Sequence, residues 1–140
     1  MSEKIVLNYD VDGGDLGQAG EASSKLKLFL RQLGMSSEVI RKASICMYEG
    51  EINMVIHADG GKVTVEVGLD EIDITMEDSG PGIPDIDKAM EEGFSTAGEV
   101  ARDLGFGAGM GLPNMKRYSD EMSVESTVGV GTTVRMKIRI

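Results

Sequence analysis

The pattern of the chain predicts an α/β protein: a two-layer sandwich in which helices cover one face of a mixed, mostly antiparallel sheet. Three observations carry this. Alternating apolar and polar residues occur in pairs of segments, 62–68 with 71–77 and 121–126 with 132–140, each pair joined by a turn too short for a parallel crossover. Two helical stretches precede the first pair, and each has an apolar stripe that must be buried against something. The chain shows no repeat, linker or compositional break, so residues 1–140 read as one domain.

Residues 4–10 alternate Ile5, Leu7 and Tyr9 with polar neighbours, a strand pattern, and 11–20 form a glycine-rich loop. Residues 21–33 read as a helix with Leu26, Phe29, Leu30 and Leu33 on one face and Gly34 as its stop. A longer helix runs from about Ser37 to Ala58. Ser36 or Ser37 caps its start, Asp59-Gly60-Gly61 ends it, and its apolar stripe is Ile45, Tyr48, Ile52, Val55 and Ile56. The two strands that follow carry Val63, Val65 and Val67, then Ile72, Ile74 and Met76. After the loop 78–84 come a short helix at 85–92, a segment 93–111 with six glycines, a short helix at 112–119 and a closing hairpin.

The formal net charge of −10 excludes the basic surface that nucleic acid or an anionic membrane requires. No apolar run approaches membrane-spanning length, and the N-terminus lacks the basic and apolar regions of a signal peptide. The single cysteine, Cys46, excludes an intrachain disulfide and a cysteine-based zinc site, and its place in a helical pattern suits a buried thiol. Ten methionines and few aromatics predict an aliphatic core with methionine filling gaps. A reducing, cytoplasmic setting fits these features.

The chemistry-bearing residues fall in three places. Glu49, Asn53 and His57 are four apart and form one row at the edge of the long helix's apolar stripe, where they would face a cleft between helix and sheet. An amide oxygen at Asn53 suits a hard cation such as Mg²⁺, and Glu49 could deprotonate an attacking hydroxyl. Spacing alone equally fits a solvated Glu and Asn, and His57 suits packing or capping at the helix end.

In the strand 71–77, extending the alternation places Asp78 on the apolar side, where a carboxylate needs a hydrogen-bonding partner. Val134, Met136, Ile138 and Ile140 share a face of the last strand, and Thr132 is in phase with them. Asp78 and Thr132 are then two polar points on one apolar pocket floor, the construction of a small-molecule site; both also sit at strand ends, where alternation often fails. The glycines come last. Asp78-Ser79-Gly80-Pro81-Gly82-Ile83 lets backbone approach a flat ring, and LGFGAGMGLPN places glycines at 105, 107, 109 and 111 before a helix, an anion cradle. Neither a P-loop nor a dinucleotide fingerprint fits, because no Gly-Lys-Ser/Thr follows and residue 112 is not glycine.

Four boxes in order, Glu49-x₃-Asn53, Asp78-x-Gly80-x-Gly82, Gly107-x-Gly109-x-Gly111 and Gly131-Thr132, resemble the ATPase/kinase superfamily shared by gyrase, heat-shock chaperones, mismatch-repair proteins and histidine kinases, with its Bergerat ATP-binding fold. Within it, the segments MYEGEINMVIHA and GMGLPNMKRYSDEMSVESTVGVGTTVRMKI resemble the nucleotide helix, lid and final hairpin of stand-alone bacterial anti-sigma-factor serine/threonine kinases and related switch kinases.

The resemblance implies ATP and Mg²⁺ as cofactors. It implies Glu49 as catalytic base, Asn53 as Mg²⁺ ligand, Asp78 on the adenine amine and Thr132 reaching the base through water. Gly80, Gly82 and Ile83 would shape the adenine pocket, and Gly107, Gly109, Gly111 and Leu112 would close over the phosphates. The implied partner is an anti-sigma-factor antagonist domain, and the implied partner set extends to a sigma factor and a second copy of the chain. Some of these kinases carry a basic residue two positions before the glycine at 109, where this chain has Gly107, so a charge at the γ-phosphate would come from elsewhere, with Arg102 and Lys116 as candidates; Ser95 and Thr96 would touch phosphate or only turn the chain. An ATP-gated binding switch and a detached histidine-kinase domain are the alternative readings.

Overall fold

The computed structural model describes residues 4–13, 19–58, 60–83, 86, 90 and 111–140. Five strands and three helices follow one another as β1 (Ile5–Asp12), α1 (Glu21–Gln32), α2 (Ser37–His57), β2 (Gly60–Val67), β3 (Glu71–Asp78), α3 (Gly111–Tyr118), β4 (Glu121–Thr127) and β5 (Gly131–Arg139). The strands form one sheet in the order β1-β2-β3-β5-β4, and all four pairings are antiparallel. The expected mixed character is therefore absent among the described residues. The expected helix at 85–92 lies outside the described residues apart from Ile86 and Met90, and so does the lid segment up to Gly111.

Strand alternation sorts the sheet into two faces. Val63, Val65, Val67, Ile72, Ile74, Met76, Val134, Met136 and Ile138 are buried under the helices. The opposite face is a lattice of charges: Lys137 lies 3.5 Å from Glu71 and 3.7 Å from Glu121, and Lys4 lies 3.6 Å from Glu66 and 3.7 Å from Asp73. Such exposed pairs contribute little individually, but they keep that face wet, which is why helices cover only one side. Ile140, expected on the apolar face, lies beyond the end of β5 and is 48% exposed.

Both helices begin and end by identifiable devices. Ser36 caps α2 by accepting from the Val39 N–H at 3.2 Å. Gly34, with φ 78°, ends α1 in a Schellman arrangement: Met35 N–H bonds to Leu30 O and Gly34 N–H to Arg31 O. The α1 N-terminus has no local side-chain cap. Glu51, buried within α2, supplies it from 31 residues away, accepting from the N–H groups of Gly20 at 2.9 Å, Ala22 at 3.1 Å and Ser23 at 3.1 Å. A carboxylate at a helix N-terminus also meets the favourable end of the dipole.

The expected apolar stripes are corrected in both helices. In α1, Leu26 and Leu30 are fully buried, Phe29 is half-buried and Leu33 is exposed at the cap. In α2, Ile52 and Val55 are buried as expected, but Tyr48 is exposed and Ile45 and Ile56 are half-buried. The tightly buried positions are Ala43, Cys46, Met47 and Met54. The reason is that α2 packs against α1, α3 and the sheet at once, so it buries more than one stripe. A Cβ at Gly50 would collide with the Met76 sulfur, so glycine sets how closely α2 lies on the sheet. Gly60 and Gly61, expected to end α2, instead open β2, and the C-cap is Ala58. His57 is the last residue of α2, and its side chain lies outside the described residues.

Candidate functional site

The strand register places Asp78, the last residue of β3, directly opposite Thr132 in β5. Asp78 is in phase with buried Met76 and Ile74, and Thr132 with buried Val134 and Met136. The carboxylate is held there: Asp78 Oδ1 accepts from Gly80 N–H at 3.0 Å and from Thr132 N–H at 3.2 Å. Oδ1 takes both bonds, and no described residue donates to Oδ2.

The loop 79–83 is pressed onto this floor. A Cβ at Gly80 would come within 2.6 Å of the Ala58 side chain. Gly82, with φ +80°, would bring a Cβ within 2.6 Å of Thr127 O. The loop is also tied to the β4–β5 hairpin: Gly129 N–H bonds to Pro81 O at 2.8 Å, and Ile83 N–H bonds to Ser126 Oγ at 2.7 Å. Ser126 Oγ in turn lies 3.2 Å from Gly131 O and 2.9 Å from Thr132 Oγ1. Ser126 is a functional candidate that sequence reasoning missed. Its signal was present: Ser126 is two residues from Val124 and opposite Thr132, a polar residue on the inward phase of β4.

The helical side of the site is built from α2 and α3. Glu49 Oε1 accepts from Asn114 Nδ2 at 3.4 Å. Asn53 lies one turn further on, against the first residue of α3, where a Cβ at Gly111 would come within 2.9 Å of both Nδ2 and Oδ1 of Asn53. The Glu49–Asn53 row therefore meets the start of α3. Leu112 is buried beside it and Met115 fully buried. Burial raises the Glu49 pKa, and the Asn114 hydrogen bond pulls against that shift. Cys46 is fully buried, with Sγ 3.6 Å from Met115 O, and burial, then the carboxylates of Asp120 and Glu49, push its thiol up to about 12. It is a structural thiol.

Gly107 and Gly109 lie outside the described residues, as do Ser95, Thr96 and Arg102. Lys116 lies in the last turn of α3. Among the described residues no three His, Cys, Asp or Glu side chains converge on a metal position.

A polar pair at the end of an apolar sheet, and a helix row carrying a carboxylate and an amide, are the kinds of placed polar group from which small-molecule sites are built. A family model of histidine kinase-, DNA gyrase B- and HSP90-like ATPases matches residues 40–140, and the chain belongs to that family. The chain is 37% identical over 109 residues to the serine/threonine-protein kinase RsbT of Bacillus subtilis (strain 168), spanning 75% of this chain and 76% of that protein. It is 38% identical over 120 residues to an anti-sigma F factor of Caldanaerobacter subterraneus subsp. tengcongensis, spanning 82% of this chain and 80% of that one. The fold is shared with the structure of the RsbU and RsbW domains of Rv1364c from Mycobacterium tuberculosis, with a TM-score of 0.65 at 16% identity; the likeness covers 96% of this chain and 32% of that one. Among the described residues no helix is long and apolar enough to cross a membrane.

Proposed function

We propose that the chain is an ATP-dependent serine/threonine protein kinase of the anti-sigma or switch type. Its substrate is a serine or threonine hydroxyl on a small anti-sigma-factor antagonist domain, and a sigma factor and a second copy of the chain belong to its partner set. The observation that carries this reading is the opposition of Asp78 and Thr132 at the sheet end, with Glu49 and Asn53 on one helix row above the start of α3.

The residues fit an adenine base. Asp78 Oδ2 is an acceptor with no donor among the described residues, and it would take the exocyclic amine. Thr132 Oγ1 would reach the ring through water, and Gly80, Gly82 and Ile83 would pack their backbone along it. Gly107, Gly109, Gly111 and Leu112 would enclose the phosphates. Asn53 offers an amide oxygen to Mg²⁺, a donor type this hard cation accepts alongside phosphate oxygens, so a carboxylate cluster is not required. Bound Mg-ATP supplies the transferable phosphoryl group.

Glu49 acts on the acceptor hydroxyl. Its desolvation raises its proton affinity, which suits a general base. The hydroxyl proton passes to the carboxylate as the new O–P bond forms and ADP departs. The test is Glu49→Gln, assayed against the antagonist domain with labelled ATP. Phosphotransfer should fall at least about a hundredfold while ATP affinity changes less than about threefold. Undiminished transfer would remove Glu49 from the chemistry, and acid-labile phosphate on the partner would replace serine by histidine as acceptor.

A further inference from the structure

The loop 79–83 is fastened at several points along its length. Gly80 N–H is held at 3.0 Å by Asp78, the residue at the loop's own root. Pro81 O accepts from Gly129 N–H at 2.8 Å, and Gly82 lies close against Thr127 O. Ile83 N–H donates to Ser126 Oγ at 2.7 Å, the shortest of these bonds. The first three fastenings use backbone groups or Asp78 itself. The last uses a side chain brought from another strand, and Ser126 belongs to none of the recognised boxes.

Ser126 is placed for this by β4. It stands opposite Thr132, on the inward phase of the strand with Met122 and Val124. From the β5 side its hydroxyl lies 3.2 Å from Gly131 O and 2.9 Å from Thr132 Oγ1. An amide N–H can only donate, so Ser126 accepts from Ile83 whether its own proton turns to Gly131 O or to Thr132 Oγ1. Ile83 also packs its side chain against the core. The far end of the loop is thus held twice, by apolar contact and by the strand hydroxyl.

A wall fixed before a ligand arrives does not have to be ordered by that ligand, and affinity gains by the difference. Without the hydroxyl, Ile83 N–H is left unpaired behind the loop, or the loop turns it to water and the wall moves. We infer that Ser126 is a positioning residue: its hydroxyl presets the loop 79–83 against the last hairpin and so sets how tightly the nucleotide is held, without entering phosphoryl transfer. This rests on the reading of that loop as the wall of a nucleotide site. Ser126 acts through the loop at the sheet end, whereas Glu49 and Asn53 stand on α2, so binding and chemistry should separate on its removal. The wall meets the base and not the phosphates, so ATP and ADP should suffer alike.

Titration calorimetry of Mg-ATP and Mg-ADP on the full chain, paired with phosphotransfer kinetics, tests this. Ser126→Ala should weaken both nucleotides about tenfold. The KM for ATP should rise while kcat at saturating ATP stays within about twofold. Ser126→Thr, which keeps a hydroxyl, should bind ATP within about threefold of the parent chain, and a loss there equal to that of alanine overturns the inference. A serine that only supports the fold gives a different result: fewer binding sites per chain, with the affinity of the folded fraction unchanged. That outcome overturns the inference, and so does a fall in kcat with affinity kept. If Ser126→Ala does not fold, hydrogen exchange on the parent chain decides: the Ile83 amide should be protected before nucleotide is added, and exchange at the rate of an unstructured amide overturns the inference. Asp78→Asn separates the two claims. Surviving ATP affinity there defeats the pocket reading itself, whereas loss there with unchanged affinity in Ser126→Ala defeats only the role of Ser126.

Discussion

The two ends of the site are built differently. At the sheet end, Asp78, Ser126 and Thr132 stand on paired strands and are tied to one another, to Gly80 and Ile83 of the loop and to Gly131 by hydrogen bonds of 2.7 to 3.2 Å. At the helical end, Glu49 meets Asn114 across two helices at 3.4 Å, and Asn53 rests on a glycine. The helical end holds a desolvated carboxylate whose one bond from the described residues is long, and burial raises its pKa. On the proposed function, the difference teaches a division of labour: a strand-built floor would recognise the adenine base, while Glu49, the proposed general base, is held by fewer bonds from the described residues.

The largest effect is expected from attacking the sheet end at its centre. In Asp78→Asn one face of the side chain becomes a donor, and it must oppose either the Gly80 and Thr132 N–H groups or the ligand amine. ATP affinity should fall about a hundredfold, on the order of 3 kcal/mol. Titration calorimetry checks this, and a loss below about threefold would break the comparison by showing that the floor is not where binding is decided.

Much of this was legible in the sequence, for physical reasons that differ by residue. Period-two alternation exposed Asp78 and Thr132 because a strand has only two faces, and an inward polar residue violates the pattern visibly. Glu49 and Asn53 were legible only as a row, and what they face required knowing that α3 crosses α2 at Gly111. Glu51 was not legible at all, since its partners are backbone N–H groups of α1, distant in sequence. Tyr48 and Ile45 misled because a helix that touches three partners buries no single stripe. Ser126 went unread because serine near a hairpin turn is common, and its count of donors and acceptors exists only once the strands are paired.

Glycine substitutions sharpen the contrast between the two ends. Gly131 has φ +152°, and a Cβ there would strike the Asp78 carbonyl, which is backbone in a paired strand and cannot give. Gly131→Ala should cost about 2–3 kcal/mol of stability, with ATP binding weakened in step. A Cβ at Gly111 would instead meet the end of the Asn53 side chain, which can turn away. Gly111→Ala should cost less than about 1 kcal/mol in stability while displacing Asn53, so that the Mg²⁺ concentration needed for half-maximal phosphotransfer rises severalfold. Denaturant unfolding of both variants, paired with a Mg²⁺ titration, checks this. Equal stability losses would erase the distinction between a floor of strands and a seam of helices.

The smallest effect probes the helical end directly. Asn114→Ala removes the hydrogen bond that, among the described residues, favours the ionised form of Glu49 against burial. Tyr48 and Cys46 on the same helix are pushed up in part by the Glu49 charge and stay protonated, so neither competes for the proton near neutrality. The Glu49 pKa therefore rises further above its unfolded value. Because a base must be ionised, the acid limb of the phosphotransfer profile should move to higher pH, with activity on that limb falling about three- to fivefold and the alkaline plateau little changed. Stability carries the same sign. A group whose folded pKa is raised favours folding below its unfolded pKa, and that contribution is lost as pH rises through the folded value. The variant should therefore be destabilised more above the folded Glu49 pKa than below the unfolded one. A uniform drop in activity at every pH, with a pH-independent stability loss, would mean that Asn114 merely packs α3 against α2 and that the helical end is as fixed as the sheet end.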